Sequence, residues 1–200
     1  KILPIETYNE LKTTYDLAKI NAEDVRLIRT SSLSEANKLI ESKNFGTPLY
    51  AGSADLITQD KLRQDLIKVR DDTEKQMLED PVKLQIDSNP EIAKLFNDYV
   101  NETDNPEIKI SNLKIFTNAI IEDQKKLGVP LSKQKIMSNS MAETFVTQFK
   151  QLGFEGNSKA RTAMLKSLEF QYGDLSDKVL TQLMTAGLPK GTKVGLVLGT

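Results

Sequence analysis

Apolar residues along this chain recur at three- and four-residue steps, and the runs are opened by side chains that cap helices and closed by Gly or Pro. That pattern restricts the fold more than any other feature. A strand needs apolar residues at every second position, whereas a chain patterned near 3.6 can hide its apolar stripes only by laying helix against helix. The stretch 157–191 carries the pattern most fully. Ser158 is a candidate cap, Ala160, Met164, Leu165 and Leu168 fall near one face, and Gly173 suits the left-handed backbone that closes a helix over 159–172. Ser176 is placed to cap a second helix with Val179, Leu180, Leu183 and Met184 on one side, ended by Gly187 and Pro189. Two apolar faces joined by so short a hinge predict an αα-hairpin, with Tyr172 packing its ring at the hinge and keeping its hydroxyl in water.

The same punctuation runs through the rest of the chain. Pro4 and the stripe Ile5, Tyr8, Leu11, Tyr15 and Ala18 predict an amphipathic helix over 4–20, followed by an apolar knot at Val25, Leu27 and Ile28. Ser32 and Glu35 have capping-box spacing ahead of Ala36, Leu39 and Ile40, in a helix near 33–43. Residues 49–53 are turn-like. A helix beginning near Thr58 carries Leu62, Leu66, Val69, Thr73 and Met77 on one side and mixed charges on the other, as a solvated face does. Residues 82–86 alternate like a brief extended segment. Asn89 and Pro90 open a helix with Ile92, Leu95, Phe96, Tyr99 and Val100, and the polar run 101–106 is the longest break in the chain. It is expected to separate an N-terminal helical lobe, residues 1–103, from a C-terminal one, residues 104–200.

In the second lobe Ser111 reads as the cap of a helix bearing Leu113, Phe116, Ile120 and Ile121, closed by Gly128 and Pro130. Ser132 reads as the start of a short helix with Ile136 and Met137. Ser140 and Glu143 match a second capping box, ahead of Phe145, Val146, Phe149 and Leu152, with Gly153 as the stop. The expected fold is all-α, a multi-helix array of short capped helices in two lobes that ends in the αα-hairpin. Aromatic residues on these stripes are expected in the core. Phe170, out of phase with Met164 and Leu168, is expected to stand exposed as an anchor.

Composition narrows the chemistry. The chain has 27 basic and 28 acidic residues, a net charge of -1, and so no field for gathering nucleic acid or an anionic membrane. Its arginines, at 26, 29, 63, 70 and 161, are too few and scattered for a phosphate clamp. With neither Cys nor His, thiol nucleophiles, thiolate metal sites, the Ser-His-Asp triad and imidazole acid–base work are unavailable. No apolar run approaches the roughly 18 residues of a membrane span. The set 187–193 brings glycines, Lys190 and Thr192 together, but the spacing is not that of a phosphate loop. Asp55, Asp60 and Asp65 lack calcium-loop alternation. No catalytic, cofactor or metal residue is assigned, and Glu143 is the least implausible acid if the chain cleaves glycans.

The succession Arg161, Met164-Leu165, Leu168, Gln171-Tyr172-Gly173-Asp174, Val179, Leu183, Leu188-Pro189 and Val194 resembles a segment of very large bacteriophage virion proteins of the internal or ejected kind. The resemblance covers residues 161–194. It implies a non-enzymatic structural, oligomer-forming role in a virion, with copies of the chain or other virion subunits as partners, and no catalytic residue carries over. Outside that setting a cytoplasmic location is expected. The apolar run 194–198 and the absence of a leading Met lead us to expect a piece of a longer polypeptide. Phe170, Tyr172, Val194, Leu196, Val197 and Leu198 are the expected interaction residues. Two other readings compete: a carboxylate-dependent peptidoglycan-cleaving domain, and a small helical adaptor that binds a partner peptide.

Overall fold

Helical periodicity is realised throughout the computed structural model, which describes residues 4–43, 56–154 and 157–189. Among these residues the regular structure is all helical: α1 (Ile5–Arg29), α2 (Leu33–Ser42), α3 (Leu56–Glu79), α4 (Pro81–Ser88), α5 (Pro90–Asn101), α6 (Pro106–Lys126), α7 (Asn139–Phe154), α8 (Ser158–Tyr172) and α9 (Ser176–Thr185). A single 3-10 turn, Gly173–Leu175, links α8 to α9. The chain divides into two compact units. The first is residues 1–77 with 126–128, and the second is residues 78–125 with 129–200. The boundary thus falls inside α3 and not at the polar run 101–106, which lies within the second unit. That run is only a tight connection: the Glu102 carboxylate accepts the amides of Asp104 and Asn105, and Asn105 then caps α6 through Glu107 and Ile108.

In the first unit α1 packs on α2, and a small core gathers Ile28, Ala36, Ile40 and Leu66. The capping box forms as read, with Glu35 accepting the Ser32 amide at 2.9 Å. Asp24, almost fully buried, pairs with Lys43, and Arg70 reaches Asn37 at 2.9 Å. Two expectations fail here. Residues 25–28 are the continuation of α1, because nothing in Asn21-Ala22-Glu23-Asp24 breaks a helix. The stripe Ile5, Tyr8, Leu11 and Tyr15 is exposed, between 57% and 76%, and α1 buries Ile28 near its other end instead. The turn-like residues 49–53 lie outside the described residues.

The second unit carries the larger core, centred on Phe116, which is fully buried against Phe96 and Tyr99 with ring centroids 5.4 and 6.4 Å away. Residues 82–86 are helical, not extended. Asp80 accepts the Lys83 amide as an N-cap and Pro81 takes the first helical position, so the local start signal overrides the alternation of Val82, Leu84 and Ile86. Helix α6 begins at Pro106, so Ser111 is interior to it. The cap of α7 is Ser138, whose Oγ accepts the Met141 amide, and Ser140 and Glu143 form no box. Asn157 caps α8 in place of Ser158, and no side chain caps α9, because the 3-10 turn feeds directly into it. Helix α7 runs through Gly153. The hairpin closes as read: Gly173 has φ of 52°, Gly187 has φ of 106°, and α9 packs on α8 with Val179 and Leu183 fully buried.

Residues 129–138 were expected to contain a short helix at Ser132 and contain none. Ile136 and Met137 are nevertheless buried, so their backbone groups must find partners. Glutamines supply them. Gln182 of α9 accepts the Ile136 amide at 2.7 Å and donates to the Met137 carbonyl at 3.2 Å. Gln124 of α6, itself fully buried, accepts the Lys135 amide and donates to its carbonyl at 2.9 and 2.8 Å. Gln85 of α4 closes the chain by accepting from Gln124 and donating to Ile120 and Asp123.

Candidate functional site

The fold leaves one face of α7 uncovered, and this opens a groove of about 510 Å³ between α5, α7 and α8. Each helix contributes by its period. Phe96, Tyr99 and Val100 come from α5, Met141, Thr144, Phe145 and Gln148 from α7, and Met164, Leu168 and Gln171 from α8. Met137 and Tyr172 close the floor. Val100, read from the sequence as a core residue, is 46% exposed on this wall. The lining is apolar and aromatic with a rim of Ser140, Thr144, Gln148, Ser167 and Gln171, and it holds no Asp, Glu, Lys or Arg. Its ionisable groups are the tyrosines. Burial raises the pKa of Tyr99, and burial with the neighbouring Tyr99 raises that of Tyr172. Both are therefore neutral hydroxyls across the physiological range. Three methionines make the surface adaptable, since an unbranched thioether can refill the space around differing partners.

Arg161 of α8 lays its guanidinium 4.3 Å from the Phe149 ring centre, on the bare backbone of Gly153, where a Cβ would sit 2.9 Å from its Nη1. The α7–α8 contact is set by this close approach, and Arg161 is engaged in packing rather than presented to a ligand.

A second cleft of about 580 Å³ lies between residues 131–135, α7 and α9. Lys133, Lys135 and Lys178 line it with Glu143, which is the single carboxylate among its lining residues. Lys135 donates to the Glu79 carbonyl and to Asn139. Burial and then the charge of Lys125 lower the pKa of Lys178. Glu143 is exposed and lines this cleft, whereas the aromatic residues Phe145 and Tyr172 line the apolar groove. Two carboxylates about 5–10 Å apart are what glycoside cleavage needs, and the lining of this cleft offers one.

Of the expected interaction residues, Tyr172 lines the groove with its ring packed as expected, and it is 8% exposed. Phe170 projects into solvent at 73% exposure and does not line the groove. Val194, Leu196, Val197 and Leu198 lie outside the described residues. Sequence reasoning did not single out Phe96, Met141, Phe145 or Met164 as a surface, because at helical spacing each reads as core. Among the described residues no group of three acidic side chains could hold a metal ion, and no helix is long and apolar enough to cross a membrane. No protein-family model, no curated protein sequence and no solved structure matches this chain.

Proposed function

We propose that this chain is a non-enzymatic helical assembly domain that joins neighbouring subunits by accepting an uncharged apolar segment in the groove between α5, α7 and α8. The observation that carries this reading is the groove itself: Met141, Phe145, Met164 and the aromatic residues of α5 lie open without one charged side chain among the lining residues, in a chain that is 28% charged. Apolar surface of this kind is stabilised by covering it, at roughly 25 cal/mol for each Å² removed from water. Uncharged walls select against a charged occupant, which would lose its hydration without gaining a partner.

The virion setting belongs to the same proposal and rests on the resemblance of residues 161–194, five of which, Met164, Ser167, Leu168, Gln171 and Tyr172, are groove residues. A large virion protein built of such domains uses them to hold copies, or other subunits, in register. Light scattering on the purified chain over a range of concentrations tests the reading. The expected result is association that Thr144→Arg, at the exposed rim, weakens while leaving the helical circular dichroism intact. A chain that stays monomeric at every concentration sinks it. Hydrolysis of peptidoglycan that disappears in Glu143→Gln would support the competing enzymatic reading instead.

A further inference from the structure

Helix α1 carries apolar residues on two sides, and one of the two stands in solvent. On the first side Ile20 and Ile28 join the core of the first unit, and Asp24, on the same face, is buried. On the second, Tyr8, Leu11, Tyr15, Ala18 and Ala22 follow one another at alternating steps of three and four, and all are exposed. At 100° per residue their common direction lies about 160° around the helix from that of Ile20, Asp24 and Ile28. A helix that packs on one core needs a single apolar face. The second has the spacing of a seam that another helix fills.

Run backwards, this seam is complementary to itself. We propose that α1 of one copy of this chain packs antiparallel on α1 of a second copy, about a two-fold axis at residues 16–17. Tyr15 then faces the partner's Ala18, Leu11 the partner's Ala22, and Tyr8 the partner's half-buried Val25, so that each bulky side chain enters the space left by a smaller one. A parallel pair would set tyrosine on tyrosine and alanine on alanine. An antiparallel pair displaced by one heptad would set Tyr15 against the partner's Leu11.

Charge selects the same register. On one flank of the seam Lys12, Asp16, Lys19 and Glu23 alternate in sign, and on the other Thr7, Thr14 and Asn21 carry no charge. A two-fold axis lays each flank along its own copy in reverse. Lys12 thereby comes near the partner's Glu23 and Asp16 near the partner's Lys19, while the uncharged flank meets itself. Asp16 already holds Lys12 at 3.1 Å and Glu23 holds Arg26 at 2.6 Å, so these contacts extend pairs that α1 has formed on its own. The area is sufficient as well. Tyr8 and Tyr15 are 57% and 68% exposed, and with about 200 Å² to bury in each ring and its stem they offer about 250 Å² per copy. A specific interface needs about 1,000 Å² in all, or about 500 Å² per copy. Leu11, itself 57% exposed, the alanines and the stems of Lys12 and Lys19 supply the other half.

This interface belongs to the first unit and the groove to the second, so substitutions separate them. In sedimentation velocity the unsubstituted chain is expected to form species larger than a dimer, and Thr144→Arg, with its groove blocked, to stop at a dimer. Adding Ala18→Glu, which keeps a good helix former but puts a charge in the seam, is expected to turn that dimer into a monomer with unchanged helical circular dichroism. The chain has no Cys, so introduced thiols read the register. In the Thr144→Arg background, a Leu11→Cys chain and an Ala22→Cys chain are each expected to stay uncross-linked under mild oxidation, and an equimolar mixture to form the mixed disulfide. A Thr144→Arg chain that is already monomeric, or a dimer that survives Ala18→Glu, overturns this inference and leaves the groove reading intact. Leu11→Cys chains that cross-link to one another mean a parallel pair and overturn it too. An unsubstituted chain that stops at a dimer, unaffected by Thr144→Arg and abolished by Ala18→Glu, supports this interface while the groove reading fails.

Discussion

The two compact units solve the same problem in different ways. In the first, the long helices α1 and α3 enclose a small core around Ile28 and Leu66, and one half of α1 holds its apolar stripe in solvent. In the second, helices as short as α4, with eight residues, are fully committed: Val82 is entirely buried and Phe116 sits among rings from α5. Isolated helices of that length are unstable in water, so α4 and α5 owe their existence to tertiary packing, whereas α1 is long enough to lean on its own backbone ladder. Helix length and burial are therefore decoupled in this protein. Polar side chains mark the contrast further. Both units cap helices with them, but the buried ones differ: the first unit pairs Asp24 with Lys43, whereas the second uses buried glutamines to hold a non-helical segment inside the core.

The contrast can be broken most directly at the two cores. Phe116→Ala is expected to destabilise the second unit by about 3–5 kcal/mol, and Leu66→Ala to cost the first about 2 kcal/mol, because a thin core collapses more readily around a deletion. Urea unfolding followed by hydrogen exchange at each helix measures both. Equal losses would deny that the cores differ. Gln182→Ala orphans the Ile136 amide and the Met137 carbonyl, at an expected cost of about 1–3 kcal/mol. The exposed Gln148→Ala is its control, with less than about 0.5 kcal/mol expected. Loss of the cap by Ser32→Ala should cost about 1 kcal/mol, read as faster exchange in α2 alone.

The smallest effect is one of pH. The folded pKa of Tyr172 is raised by burial, so its stabilising contribution is complete below the unfolded tyrosine pKa of about 10 and is lost as pH climbs above it, when only the unfolded chain can ionise. Stability measured from pH 8 to 11 should fall at the upper end in the second unit, and Tyr172→Phe should flatten that fall.

Much of this contrast was legible in residues whose causes are local. The capping box at Ser32, the Asn89–Pro90 start, the turns at Gly173 and Gly187 and the buried faces of α6, α8 and α9 follow from side chains within a few positions of one another. What was misread depends on distance. Residues 82–86 alternate as a strand does because both sides of so short a helix are covered by other elements. The segment 129–138 needs a glutamine 46 residues away to stay folded without a helix, and no periodicity records that. The stripe of α1 has the pattern of a buried face, yet pattern alone does not supply the neighbour that would bury it. The groove escaped for the opposite reason. Met141, Phe145 and Met164 look like core residues, and only the spacing of three helices turns them into a surface.

Oxidation of individual methionines tests the central claim, that the groove is where subunits meet. Met141 and Met164 line it and Met184 does not. Treated with dilute peroxide and read by peptide mass spectrometry, Met141 and Met164 are expected to oxidise severalfold more slowly in the associated chain than in the Thr144→Arg chain, with Met184 unchanged between the two. Equal rates for all three methionines in both states would mean that association leaves the groove open to solvent, and would contradict the account.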